Sequence, residues 1–260
     1  MTDFLALHRP GEPLLMPNAF DAGSAKILAA MGFAALATTS SGHAATLGLR
    51  DGEVGRDEAI AHAAALMRAA GVPVSADLEN GFADAPEDVA ATVRLAREAG
   101  LAGCSVEDAT GDAGAPIHDA AHARDRVAAA AEAAGDLVLT ARAENHLYDR
   151  ADLADTIARL QSFQEAGADV LYAPGLRDLD EIATLCREVD RPVNVLLLPG
   201  GPDVARLAEV GVARISVGGA FTFNAYSGLV AAAEDLLAGS AAYLDRLGPG
   251  RAAFDRATRR

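Results

Sequence analysis

The chain has 260 residues, of which 51% are hydrophobic and 23% are charged, and its formal net charge is −15. This composition supplies enough apolar material for a sizeable core and is too mixed for a disordered chain. The acidity argues against binding to a nucleic-acid backbone, and no apolar run reaches the roughly 18 residues that a membrane span needs. Because the start of the chain also lacks the basic residues of a signal peptide, we expect a cytoplasmic protein.

A unit recurs along the chain in which an alanine-rich helix ends near a glycine and a short β-branched run follows. The predicted strands cover residues 14–17, 33–39, 72–77, 103–107, 137–142, 169–172, 192–197 and 214–217. Short apolar strands that alternate with helices are typical of a parallel sheet covered on both faces. The sequence therefore predicts a (β/α)8 TIM barrel, as a single α/β domain over residues 1–240, and a polar helical extension over residues 241–260. A doubly wound open sheet is the alternative, although no dinucleotide-binding or P-loop motif is present.

Two acids lie two residues apart at the end of the predicted third strand. Residues i and i+2 of a strand point to the same face, so Asp77 and Glu79 leave it side by side. Two close carboxylates repel unless a cation or a shared proton lies between them. Taken alone, the pair is interpreted either as part of a hard-metal site or as exposed acids in a turn.

Further polar residues follow the neighbouring strands at the same end, where barrels of this type place their active sites. Asp77, Glu79 and Glu107 follow adjacent strands and are predicted to surround one divalent cation, directly or through water. The alternative for each acid is a solvated turn residue or a helix N-cap. Asn194, at the end of the seventh strand, is predicted to contribute to substrate binding.

Arg142 ends a strand of apolar residues, where an inward-facing guanidinium needs an anionic partner. That partner is either a bound anion or a protein carboxylate, Glu144 or Glu107. The segment Thr39-Ser40-Ser41-Gly42 offers hydroxyls and turn N–H groups that can hold a carboxylate or phosphate, and a plain hydrogen-bonded turn is the alternative.

The positions of the lysine, cysteine and histidine residues limit the mechanisms that the strand ends can support. The one lysine, Lys26, lies inside the first predicted helix, so a Schiff-base mechanism is disfavoured. Cys104 has the strand parity that faces the helices, so we expect a buried structural thiol. Among the six histidines, His118 is the candidate acid on the loop after the fourth strand that titrates near neutral pH.

In the order of these motifs, the chain resembles the isocitrate lyase and phosphoenolpyruvate mutase superfamily. The resemblance covers about residues 14–239 and runs through the segments at residues 17–22, 47–51, 76–82, 106–108, 141–144, 166–169 and 215–219 and the Thr-Ser-Ser-Gly turn. It implies a barrel that uses Mg²⁺, or Mn²⁺ in its place, and that assembles as a dimer or tetramer whose last helices are exchanged between subunits.

The resemblance also implies roles for individual residues. Glu79 would lie closest to the ion, and Asp51, Asp77 and Glu107 would act partly through water. Arg142 would bind the substrate carboxylate, and Ser40, Ser41 or Gly42 would hold the same 2-oxo acid moiety.

The loop after the fourth strand, residues 109–119, departs from the family pattern and is called the gate loop here. Family lyases carry a catalytic cysteine in this loop, and phosphonate-processing members carry a lysine and an asparagine there, but residues 109–119 of this chain contain no cysteine, lysine or asparagine. The prediction is therefore a Mg²⁺-dependent carbon–carbon lyase on a small 2-oxo or 2-hydroxy dicarboxylate, acting through a metal-stabilised enolate, with oxaloacetate decarboxylation tested first. A carbon–phosphorus bond enzyme and a non-catalytic 2-oxo acid binding barrel are the alternatives.

Overall fold

A computed structural model describes residues 3–259 of the chain and contains one eight-stranded parallel sheet. The strands are β1 (Leu14–Leu15), β2 (Leu36–Ala37), β3 (Val74–Asp77), β4 (Gly103–Glu107), β5 (Val138–Arg142), β6 (Val170–Tyr172), β7 (Val193–Leu196) and β8 (Arg214–Ser216). Each lies within or close to a predicted strand.

The sheet curls into the predicted barrel. Its strand order is β1-β8-β7-β6-β5-β4-β3-β2, so the strands from β2 to β8 pair in sequence order and β1 pairs with β8. A parallel bridge between Asn18 and Ala37 joins the extension of β1 to β2, where the Ala37 N–H donates to the Pro17 carbonyl at 3.0 Å. The (β/α)8 fold class is thereby confirmed, and all eight strands end at one mouth.

Ten helices surround or follow the strands in the part of the chain that the structure describes. They are α1 (Ala22–Ala30), α2 (Ser40–Thr46), α3 (Arg56–Ala70), α4 (Pro86–Glu98), α5 (Ala120–Ala134), α6 (Leu153–Glu165), α7 (Leu179–Glu188), α8 (Val204–Glu209), α9 (Ala220–Leu237) and α10 (Leu247–Thr258). Short 3-10 helices cover Leu5–Leu7, Asn145–Leu147 and Ala242–Arg246. No helix among residues 3–259 is both long and apolar enough to cross a membrane.

Local sequence explains where these helices begin and end. Aspartate side chains accept N–H groups at the first turns of α1, α5, α6, α7 and α8, as N-caps do. The helix α3 ends at Gly71, whose φ of 68° is the left-handed conformation that costs glycine least. These caps thus set where the helices begin and end between the strands.

The main core lies between the barrel strands and the surrounding helices. Leu139 and Leu171 face outward from β5 and β6 and pack in one cluster with Leu160 and Phe163 of α6, all fully buried. Cys104 belongs to the same cluster, and burial raises the pKa of its thiol to about 12. The expected burial of Cys104 is confirmed, and the thiol stays protonated.

The helix α9 differs from the other barrel helices because it exposes apolar side chains. Phe223, Leu229 and Leu237 are exposed by 52%, 66% and 89%, although most residues of α9 are apolar. The following 3-10 helix contacts α9, and α10 packs against α1. The predicted division at residue 240 falls between α9 and that 3-10 helix.

Candidate active site

Two connected cavities open at the carboxyl ends of the strands. The outer cavity has a volume of about 1240 Å³ and the inner one about 200 Å³, and Ser40, Asp51, Arg142 and Leu147 line both. Glu79, Glu107 and Glu144 line the outer cavity, and Asp77 and Asn194 line the inner one. The fold therefore brings together most of the predicted site residues.

Five carboxylates and one guanidinium form the centre of this site. Asp77 and Glu107 end β3 and β4, Glu79 and Glu144 follow β3 and β5 within two residues, and Asp51 comes from the loop after α2. With all five acids ionised, Arg142 balances one of five negative charges. The site therefore attracts cations.

Arg142 pairs with three of these acids at once. Its Nη1 lies 3.0 Å from an Asp77 oxygen, its Nη2 lies 3.0 Å from a Glu107 oxygen and its Nε lies 2.8 Å from a Glu144 oxygen. The guanidinium also lies over the Tyr172 ring, 5.2 Å from its centroid. Both partners considered from the sequence, Glu144 and Glu107, are present, so Arg142 organises the acids whether or not it also binds substrate.

Asp77 is held entirely by protein groups. One carboxylate oxygen accepts from Arg142 and, at 3.4 Å, from the Ser105 hydroxyl, while the other accepts the Ser40 N–H at 3.1 Å. Its own N–H donates to the Thr38 hydroxyl at 2.8 Å. These contacts fix Asp77 as the support of the site rather than its most available ligand.

Glu79, in contrast, receives no hydrogen bond or ion pair on its carboxylate from the described residues. Burial, followed by the charges of Asp77 and Asp51, raises its pKa to about 7. Burial is also the main cause that raises the pKa values of Asp51 and Glu144, and it raises that of Glu107 well above its ordinary range. Excess negative charge in a partly buried site is the condition that a bound cation relieves.

The backbone around Glu79 is wound in an unusual conformation. Glu79 and Phe82 have φ values of 50° and 58°, in the left-handed region that costs non-glycine residues energy. Gly81 between them has φ 76°, and a Cβ there would lie 2.9 Å from Val89. Such strain persists where surrounding contacts over-determine the loop.

Arg126 on α5 supplies many of those contacts and was not predicted from the sequence. Its buried guanidinium donates to the carbonyls of Asn80 and Ala83, the latter at 2.9 Å, and to the carbonyl of Glu107 at 3.1 Å. It thereby ties the strained loop to the end of β4. The one available signal was an arginine within an alanine-rich amphipathic helix, which sequence alone does not distinguish from a surface residue.

The residues present fit a hydrated hard cation better than a fully protein-bound ion. Among the described residues, no three of these carboxylates bring one oxygen each within 4.8 Å of one another. Mg²⁺ characteristically takes one or two carboxylates and keeps several waters. The unpartnered Glu79, with Asp77, Glu107 and Asp51 nearby, supplies that kind of donor set.

The Thr39-Ser40-Ser41-Gly42 segment is the start of α2 and not the turn expected from the sequence. Thr39 caps the helix by accepting the Gly42 N–H at 3.2 Å, and Thr39, Ser40 and Ser41 line the inner cavity. Gly42 does not line either cavity, since the helix turns it toward α9, where a Cβ would collide with Thr222. Its small size serves packing.

Asn194 lies on the wall of the inner cavity beside the side chain of Arg214, which the sequence analysis did not single out. The Arg214 Nε donates to the Asn194 Oδ1 at 2.9 Å, and the Asn194 Nδ2 donates to the Ser216 hydroxyl at 3.0 Å. Arg214 also contacts His8 and the Thr140 hydroxyl inside the barrel. An arginine in a short apolar strand, the signal used for Arg142, would have identified it.

His118, the predicted acid, lies outside both cavities. Its ring lies beside Asp84 and His122, and its backbone N–H donates to the Asp108 carbonyl at the base of the gate loop. Tyr148, which the sequence analysis did not single out, instead lines the outer cavity. Burial raises the pKa of Tyr148, so its hydroxyl carries a proton throughout the physiological range.

Comparison with known proteins supplies an independent line of evidence. The profile of the phosphoenolpyruvate phosphomutase family matches residues 4–237. A crystal structure of a Burkholderia cenocepacia J2315 protein, provisionally named a lyase/mutase, superposes with a TM-score of 0.92 and 49% identity, covering 96% of this chain and 93% of that one.

Two relatives with named activities are also similar. The 2,3-dimethylmalate lyase of Eubacterium barkeri is 32% identical over 198 residues, which are 72% of this chain and 68% of the lyase. The oxaloacetate decarboxylase of Pseudomonas savastanoi pv. phaseolicola is 31% identical over 193 residues, 69% of this chain and 63% of the decarboxylase.

Proposed function

Because this chain belongs to the phosphoenolpyruvate phosphomutase family, within a superfamily of lyases and mutases, we propose that it is a Mg²⁺-dependent carbon–carbon lyase. Its substrate is a small 2-oxo or 2-hydroxy dicarboxylate, and oxaloacetate is the first to test. The observation that carries the proposal is the carboxylate of Glu79, which has no partner among the described residues and lies in an excess of acids around Arg142. The activities for which the decarboxylase and dimethylmalate lyase relatives are named support this substrate class.

Glu79 would hold the ion most directly, and Asp77, Glu107 and Asp51 would hold it partly through water. When bound, Mg²⁺ supplies Lewis-acid stabilisation of negative charge on a substrate oxygen. Mn²⁺, with similar oxygen preference, would serve in its place. The donor set of carboxylates without imidazole or thiolate is the reason for choosing a hard ion.

The protein residues have complementary tasks in the proposed reaction. Ser40, Ser41 and Asn194 line the inner cavity and would orient the substrate by hydrogen bonds. Arg142 would offset the negative charge of the oxo acid while keeping the acids in place. In oxaloacetate decarboxylation the C3–C4 bond breaks, CO₂ leaves with C4, and the bonding electron pair moves into the enolate of pyruvate.

The enolate must then take a proton at C3 to become pyruvate. Tyr148 is the protonated side chain at the cavity mouth, so we assign it a role as hydrogen-bond or proton donor there. His118 is not assigned this role because it lines neither cavity. Decarboxylation needs no base to remove a substrate hydroxyl proton, which agrees with a gate loop without cysteine or lysine.

The test is pyruvate release from oxaloacetate by the purified protein, with Mg²⁺ or with EDTA. An Asp77→Ala/Glu79→Ala double variant is the proper blank, because free Mg²⁺ decarboxylates oxaloacetate slowly. We expect turnover that is lost both with EDTA and in the double variant. Rates equal to those of the double variant would reject the proposal.

The same assay separates the neighbouring activities. The family profile is named for a phosphomutase, so phosphonopyruvate is run in parallel, and its turnover in place of oxaloacetate would assign carbon–phosphorus chemistry. A panel with 2,3-dimethylmalate and methylisocitrate extends the test to hydroxy acids. Tight binding of 2-oxo acids without any turnover would assign the chain as a binding barrel.

The chain is also proposed to form a homo-oligomer through α9. Its exposed Phe223, Leu229 and Leu237 form an apolar surface that water disfavours. An exchange of α9 and α10 between subunits would cover this surface. Leu237→Glu should shift the sedimentation coefficient toward that of a monomer, and an unchanged value would exclude α9 from the interface.

A further inference from the structure

Asp84, His118 and His122 form a cluster on the rim, outside the cavities just described. Asp84 lies in the loop after β3, His118 lies near the end of the gate loop, and His122 lies in the first turn of α5. One Asp84 oxygen lies 3.6 Å from Nδ1 of His118 and 3.5 Å from Nε2 of His122. One ligand atom from each of the three residues lies within 4.8 Å of the others.

These separations are close to those of ligands that share one tetrahedral metal ion. Zinc binds imidazole nitrogen and carboxylate oxygen at about 2.0–2.2 Å, so two ligands of a tetrahedral ion lie about 3.3–3.5 Å apart. Two of the three contacts are within a few tenths of an ångström of that value. The third contact, between the imidazole nitrogens of His118 and His122, lies within 4.8 Å and would close by a rotation of the His122 side chain, which is 31% exposed.

The donor set selects a different ion from that of the acidic site. Two imidazoles and one carboxylate suit Zn²⁺ and other first-row transition ions, whereas Mg²⁺ prefers oxygen. Asp84 and Asp119 bring negative charge, while Arg126 brings a positive charge that weakens cation binding. Nε2 of His122 also lies 3.1 Å from the Asp84 carbonyl, a contact that a metal would replace.

We propose that Asp84, His118 and His122 bind one transition-metal cation such as Zn²⁺, with an open fourth position, and that this ion braces the base of the gate loop. The bracing follows from the attachment points. The backbone N–H of His118 closes the loop by a hydrogen bond to the Asp108 carbonyl, and the His118 carbonyl accepts a hydrogen bond from Arg159 at 2.9 Å. A bound ion would join this base to the loop after β3 and to α5.

The experiment is titration of the protein with Zn²⁺ in a calorimeter. Excess Mg²⁺ and a Glu79→Gln background keep the acidic site from contributing to the measured heat of binding. Variants Asp84→Asn and His122→Ala alter partly exposed groups, and a thermal melt confirms that each is folded. His146→Ala, which removes a histidine after β5 that is not part of the cluster, is the matched control. We expect one Zn²⁺ per chain, at least tenfold weaker binding in both variants, and unchanged binding in the control.

Co²⁺ serves as a second probe, because a nitrogen-ligated ion gives a visible absorption band whose loss in His122→Ala reports the ligand directly. Hydrogen exchange of residues 109–118 should slow when Zn²⁺ is added to the wild type and not in the variants. Unchanged exchange with Zn²⁺ bound would overturn the bracing. Zn²⁺ binding equal in wild type and both variants, or no binding at all, would overturn the site itself, and neither result depends on the lyase activity.

Discussion

Replacing Glu79 by glutamine is expected to stabilise the metal-free protein above neutral pH. In the folded chain the pKa of Glu79 is raised from 4.5 to about 7, so the folded state holds this proton more tightly than the unfolded one. The resulting stabilisation is fully present below about pH 4.5 and is lost as the pH rises through about 7. At pH 8 the wild type carries an ionised Glu79 beside Asp77 and Asp51, and glutamine removes that repulsion.

The size of the effect follows from the same pKa. A change from 4.5 to about 7 corresponds to an upper bound of about 3–4 kcal/mol, at about 1.4 kcal/mol for each tenfold change in acidity. Glu79 lines an open cavity, and solvent screening reduces this to about 1–2 kcal/mol. For a chain of this length that is roughly 2–8 °C in the melting temperature.

The assay is thermal unfolding of wild type and Glu79→Gln between pH 5 and 9, with EDTA or with Mg²⁺. Saturating Mg²⁺ at a hundred times its Kd should stabilise the wild type by about 2.7 kcal/mol and the variant far less. Glu58→Gln, an exposed acid on the rim of the same cavity, is the matched control and should keep the wild-type response. A Glu79→Gln protein that melts lower than wild type at pH 8 and still responds fully to Mg²⁺ would refute the reasoning.

Three further substitutions test the supporting residues. Arg142→Lys should abolish turnover and lower the free energy of unfolding by at least about 2 kcal/mol, because one ammonium cannot reproduce contacts to three carboxylates. Exposed Arg150→Lys is the control, and equal melting curves of Arg142→Lys and the wild type would contradict the expectation. Arg126→Met should lower the free energy of unfolding by about 3 kcal/mol and weaken Mg²⁺ binding in titration calorimetry, because the strained loop loses its charged donor. An unchanged Mg²⁺ affinity would show that this loop does not position the metal site. Tyr148→Phe should lower kcat for pyruvate formation with little change in KM, and a wild-type kcat would remove the hydroxyl from the reaction.

The sequence predicted the active-site region because strand parity and strand ends are local properties. Asp77 and Glu107 were placed correctly at one mouth, since all strands of a parallel barrel end on the same side. The packing role of Gly42 was not predicted, because a side chain there would collide with Thr222, 180 residues later, as well as with the nearby Thr39. His118 illustrates the same limit, as its ring orientation depends on Asp84 and His122 together.

By itself the sequence determined the alternation of strands and helices, the burial of Cys104 and the end of the barrel that carries the polar groups. These follow from apolar periodicity, capping aspartates and helix-ending glycines, which act over a few residues. Only the tertiary structure decided that these charges form one cluster. Glu107 and Glu144 were candidate partners of Arg142 from the sequence, but the pairing of β3, β4 and β5 also brings Asp77 to the same guanidinium. The packing of α5 brings Arg126 to the loop after β3 and to the end of β4, which are far from it in sequence. Within residues 3–259 the carboxylate of Glu79 receives no hydrogen bond or ion pair, whereas its neighbour Asp77 has protein partners on both oxygens, a difference that their local sequence does not reveal.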